Sequence, residues 1–192
     1  MRNRILGYSL IEKIRCGIRT LAHDRSGVSA IEFAFIVPTI MVPLYFGAVE
    51  FSEALTVDRR VTSVASTTAD LAAQAEELDQ GGIEQIFDAA RSIMVPYPSA
   101  GISIVVTSVV ADEDNKTTVD WSCTENGTTH SEGSDFTLPP NLTQPFSSVI
   151  VAEVAYTHTS FLANIIDTPI NMTETFYLRP RRSLTVEFDG AC

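Results

Sequence analysis

Histidine, cysteine and, over most of the chain, basic side chains are scarce in this sequence, and each scarcity removes a class of function. His23, His130 and His158 are scattered, and no metal-ligand spacing, G-x-S-x-G element or glycine-rich phosphate loop is present. That inventory reads as a chain that is not an enzyme and has no cofactor, no metal and no catalytic residue. The triplet Asp112, Glu113, Asp114 lacks the D-x-D-x-D-G pattern and distal Glu of a calcium loop, so a solvated turn is the expectation. Lys and Arg number 13 against 24 Asp and Glu, for a net charge of -11. Six of the basic residues (Arg2, Arg4, Lys13, Arg15, Arg19, Arg25) face only Glu12 and Asp24 in residues 1–27, so that segment is +4 and the remainder, -11 minus +4, is -15. A body this acidic argues against nucleic acid as a partner.

What is present is one apolar run. Phe33 to Val49 contains 17 residues without a charge, the lower end of the about 17 to 25 that cross a bilayer. Starting at Val28 gives 22 residues interrupted only by Glu32, or about 33 Å of helix at about 1.5 Å per residue. Basic charge before the span and acid after it place the N-terminus in the cytoplasm and the body outside. Within residues 5–21, apolar positions at helical spacing alternate with Lys13, Arg15 and Arg19. Two readings stand side by side: adsorption to the anionic leaflet, or a topogenic leader with incidental periodicity.

Glycine and proline are absent from Ala48 to Gln80, where Ala54, Val57, Val61, Val64, Thr68, Leu71, Ala75 and Leu78 step by three and four. The pattern predicts a helix continuing past the span, a rod of about 78 Å over residues 28–79 at about 1.5 Å per residue, kinked at Pro38 and Pro43. Gly81-Gly82 is expected to end it. A second, short helix follows, with Ile83, Ile86, Phe87, Ala90, Ile93 and Met94 on its apolar face and Pro96 and Pro98 beyond it. Past Gly101 the vocabulary becomes β-branched, predicting antiparallel strands at 102–111, 117–123 and 148–159 and weaker ones at 172–178 and 183–188. Ile150, Ala152, Val154 and Tyr156 share one face, which sends Glu153 to a wet one. Trp121 reads as a core anchor beside Val119 and Cys123, His158 as a surface residue, Asp112 to Lys116 as a hairpin tip and Thr124 to Gln144 as an exposed loop. The fold class is thus α+β: a long N-terminal transmembrane helix continuing outside the membrane, a short second helix and an antiparallel sheet. Its expected divisions are a cytoplasmic leader at 1–27, the span at 28–49, an extracytoplasmic helical region at 50–95 and a β domain at 100–192.

Gly27-Val28-Ser29-Ala30-Ile31-Glu32-Phe33, at the cytoplasmic edge of the span, resembles a prepilin cleavage site. That resemblance implies a cut after Gly27, Val28 as the new N-terminus, and Glu32 at the fifth mature position. A carboxylate inside a membrane helix costs roughly 2.5 to 3.5 kcal/mol at the bilayer centre and calls for a partner. Pilin-like assembly implies one, the freed α-ammonium of a neighbouring subunit; an uncleaved anchor would instead hold Glu32 among headgroups. Residues 25–73 (RSGVSAIEFAFIVPTIMVPLYF onward) resemble the TadE-like family of minor pseudopilins of the tight-adherence pilus, and VDWSC, VIVAEVAYTHT and YLRPRRS resemble the extracellular half of such proteins. The resemblance implies processing by a prepilin peptidase, partnership with other pilins, minor pseudopilins, an inner-membrane assembly platform and membrane lipid, and a part in pilus assembly, initiation and surface adhesion. A 27-residue leader and a body larger than the major pilin argue against the main filament subunit.

Cys16 falls in the leader, so Cys123 and Cys192 are the pair left for the exported body, either bridged or as two free thiols. Sequons at Asn115, Asn126, Asn141 and Asn171 would suggest a type II glycoprotein in a eukaryotic host and mean nothing by themselves in a bacterium. Two other functional readings compete. One is an uncleaved single-pass anchor for a binding domain that never polymerises. The other is a secretory signal cut at Ser52-Glu53-Ala54, freeing a soluble protein from Leu55, against which the long basic region and two prolines weigh.

Overall fold

A computed structural model describes residues 27–159, 169–190 and 192. The leader readings, Cys16 and His23 among them, fall outside the described residues. The chain divides into two compact units, Met1–Val49 and Glu50–Cys192. Long helix, short helix and antiparallel sheet give the α+β class read from the sequence.

Helix α1 is Val28–Gln74, 47 residues, with Pro38 and Pro43 inside it. Its described part in the first unit is apolar and exposed: Phe33, Phe35 and Leu44 are 67%, 73% and 63% accessible. In the second unit the stripe reverses that state, with Val57, Val61 and Val64 wholly buried. Each such side chain removed from water contributes about 1.5 to 3 kcal/mol.

The helix stops sooner than the periodicity predicts. Ala75 N–H bonds back to the Ala72 carbonyl at 3.3 Å, a tightened last turn, and strand β1, Glu77–Asp79, follows. Leu78 is buried as the stripe requires, but as the centre of a strand. Gly81-Gly82 therefore does not end α1; both glycines lie in the first turn of α2, Gln80–Met94, where the Asp79 carboxylate accepts from Gly82 N–H at 2.6 Å. A capping aspartate outweighed the breaker value of the glycines. On α2, Ile83, Ile86, Phe87, Ala90 and Met94 are buried.

A 3-10 turn, Ser99–Gly101, leads into strands β2 (Ile102–Ala111), β3 (Thr117–Glu125), β4 (Ser148–His158) and β5 (Ile170–Leu178), and β6 (Glu187–Asp189) pairs parallel with β1. The four longer strands form an antiparallel sheet in the order β3-β2-β4-β5. Asp112 to Lys116 forms the β2–β3 connection, where the Asp112 carboxylate accepts from Asp114 N–H and Lys116 N–H at 3.0 and 2.7 Å. A bulge sets Ser108 against Trp121 and Val109 against Val119, leaving Asp120 outside the pairing.

Both helices cover one face of this sheet. Val57, Val61 and Val64 of α1 and Ile83, Phe87 and Met94 of α2 share a core with Ile104, Val106, Trp121, Ile150 and Val154. The opposite face is drier than the alternation implies, because Phe136 and Leu138 from the long loop pack on Val109, Val149 and Val151. That loop is mostly exposed, as expected, and Phe136 and Leu138 make it a partial cover of the sheet as well. Val119 N–H bonds to Ser134 O at 2.9 Å and Phe136 N–H to Thr117 O at 3.0 Å, which also occupies the outer edge of β3.

Candidate functional site

The first candidate lies where α1 begins. Gly27 accepts from Ile31 N–H at 3.1 Å, so the Gly27–Val28 peptide is at the helix start. Among the described residues a Cβ built on Gly27 meets nothing within 4 Å, so their packing gives no reason for glycine there. Glu32 and Phe33 follow one turn later, both exposed, and Glu32 makes no ion pair among the described residues. Helix α1 holds an 18-residue window of mean hydropathy 1.8, none of it buried. Among the described residues it is the one helix long and apolar enough to cross a membrane. An exposed apolar surface of this extent requires lipid or protein around it. Gly27, Val28, Glu32 and Phe33 are thus brought together by a single helical start, with the carboxylate next to the apolar surface.

The second candidate is in the other unit. Cys123 on β3 is bonded to Cys192, with their Cα atoms 5.0 Å apart, inside the usual span for a disulfide. The bond borders a cleft of about 370 Å³ between α2 and β3, floored by Ile83 and Phe87. At its rim Arg91 pairs with both Asp88 and Glu125. Trp121 is 5% accessible, donates from Nε1 to the Val186 carbonyl at 2.7 Å and lies 5.3 Å from the Phe188 ring. The sequence marked Trp121 as a core residue, but nothing local marked its bond to Val186.

Two histidines differ from their expected surroundings. His158, expected at the surface, is 4% accessible, its Nε2 has no hydrogen-bond partner among the described residues, and its ring lies 6.5 Å from that of Tyr97. Sequence alternation placed it on the covered face of β4, a signal that the strand-end position obscured. His130 Nε2 lies 2.6 Å from Glu153 Oε2, and its backbone N–H donates to Ser122 Oγ. This pair sits in a second cleft of about 310 Å³ beside Ser103, Thr173 and Thr175. Loop and strand residues far apart in sequence make it, so spacing gave no hint of it. Among the described residues no group of three or more His, Cys, Asp or Glu is arranged to hold a metal ion.

Residues 27–70 match the family model described as TadE-like protein. The match bears out the resemblance read from residues 25–73 and associates the chain with the tight-adherence pilus system and its components. No curated protein and no solved structure matches the chain.

Proposed function

We propose that this chain, TadE-like over residues 27–70, is a minor pseudopilin of a tight-adherence pilus, made as a precursor and cut by a prepilin peptidase between Gly27 and Val28. It is a non-catalytic subunit of the bacterial inner membrane, N-terminus cytoplasmic and Glu50–Cys192 periplasmic. It acts in pilus assembly or initiation and in surface adhesion, together with other pilins, minor pseudopilins and the assembly platform.

The observation that carries this reading is the coincidence of three features at one place. The family match begins at Gly27, the helix begins at Val28, and Glu32 stands exposed in the next turn. Cleavage would free the Val28 ammonium close to the carboxylate of a packed neighbour, and a buried pair of this kind is strong only when both charges are present. Apolar packing of α1 then supplies the attraction between subunits, and the charge pair supplies the register.

The test is the N-terminal residue and intact mass of the membrane-extracted protein, made with and without a prepilin peptidase. A peptidase-dependent start at Val28 supports the assignment. A start at Met1 would replace it with an uncleaved anchored binding domain, and a start at Leu55 with a soluble secreted protein.

A further inference from the structure

Strand β6 is held against the domain by opposing forces. Three attachments favour it: Val186 is wholly buried, Phe188 lies against Trp121, and the Val186 carbonyl accepts from Trp121 Nε1. In addition to the three-residue parallel pairing with β1, Glu187 N–H bonds to the Glu76 carbonyl at 3.2 Å. Against these stands the charge pattern of the pairing itself. Glu77 is directly opposite Glu187 and Asp79 directly opposite Asp189, and all four are exposed. Like charges facing one another across paired strands are destabilising, and a three-residue pairing has little with which to offset them. Glu187 also helps to hold the Asp120 carboxyl above its ordinary range, behind burial and Glu132. Beyond β6, Gly190 passes so close to Phe188 and to the Gln80 backbone that a Cβ there would come within 3.2 and 3.4 Å of them. Cys192 then bonds to Cys123, on the same strand as Trp121.

We propose that β6 is a redox-controlled strap: the Cys123–Cys192 bond, rather than strand pairing, keeps Val186 and Phe188 seated over Trp121, and with the two thiols reduced the strap leaves while the four-stranded sheet stays folded. The bond forms by thiol–disulfide exchange. Cys123 and Cys192 give up two protons and two electrons, and the disulfide of an oxidoreductase accepts them and leaves as a dithiol. A thiol–disulfide oxidoreductase is therefore the partner that closes this domain. The strap itself does not depend on the function proposed above; only the compartment in which it closes rests on that reading.

Trp121 is the single tryptophan of the chain, so its fluorescence reports the strap. Full-length protein in detergent, oxidised, should show a blue emission and slow acrylamide quenching. Reduction, or Cys192→Ser, should shift the emission to the red and raise quenching severalfold, with amide exchange of β2 and β4 unchanged. Adding Glu187→Gln and Asp189→Asn to Cys192→Ser should restore the blue emission. Unchanged emission on reduction would show that pairing alone holds the strap, and loss of protection in β2 and β4 would show a bond needed for the whole domain; either overturns the proposal. Failure of the charge-neutral variant to recover would remove the electrostatic half of it. Thiol labelling in intact cells separates the two readings. Cysteines found reduced there, in a protein that still behaves as a strap when purified, would count against the periplasmic assignment and not against the strap.

Discussion

Arg60 Nη1 donates to the carbonyl of Val95, 35 residues further along the chain, at 2.7 Å. It reaches the Ile93 carbonyl at the same distance, and its guanidinium lies 5.6 Å from the centre of the Tyr97 ring. The acceptors are carbonyls at the end of α2, which no later turn of helix satisfies. Arg60 thus joins the two helices by closing the end of one with a side chain from the other.

Replacing Arg60 with Met keeps much of the stem and removes the donors. Hydrogen bonds from a charged group contribute about 1.5 to 3 kcal/mol, so the variant should unfold at lower denaturant by that amount. Amide exchange at residues 93–97 should rise most. An unchanged denaturation midpoint would mean that water replaces the guanidinium without loss.

Gly127 is required by space. A Cβ there would lie 2.6 Å from both Ser103 Oγ and Thr124 Oγ1 and 3.0 Å from Val105. Thr124 Oγ1 is already committed to the Ile104 carbonyl at 3.0 Å. Gly127→Ala should cost about 1 to 3 kcal/mol through overpacking, read by thermal unfolding of the purified protein. Gly27→Ala, where the same Cβ meets nothing, should leave the melting curve unmoved.

Glu32→Ala removes an exposed carboxylate from an exposed apolar helix, so insertion and domain stability should be retained or slightly improved. Under the proposed function the variant reaches the membrane in normal amount yet supports few or no pili, counted by electron microscopy. Normal piliation would eliminate the ammonium–carboxylate register as the assembly device.

The Asp120 carboxyl is raised above its ordinary value of 3.8 by burial first, then by Glu132 and Glu187. The folded protein therefore binds this proton more tightly than the unfolded chain does. Stability from this group is fully present below the ordinary carboxylate value and is lost as pH rises through the higher folded one. Asp120→Asn should match the wild type at about pH 3 and exceed it modestly at about pH 7, with the gap narrowing in high salt. Urea denaturation at the two pH values checks the sign; equal stability at both would mean that the ionised carboxylate is well solvated.

Periodicity and local chemistry alone determined the apolar span, the short second helix, the turn at Asp112 and the main strands, because each of these is specified by residues within a few positions of one another. The TadE-like segment is legible for the same reason: Gly27, Glu32, Phe33 and the run that follows form one continuous stretch. Tertiary structure decided the rest. The stripe from Ala54 to Leu78 is equally apolar whether its end is helix or strand; in the fold α1 stops at Gln74, and Leu78 lies in β1, paired with the distant β6. Thr124 to Gln144 looked exposed by composition, yet Phe136 and Leu138 found a sheet face to cover. The four like charges on β1 and β6 are unremarkable in sequence and meet only because the fold places two distant strands in register. A local pattern states which face of an element is apolar; which distant surface that face meets depends on contacts whose partners the pattern does not contain.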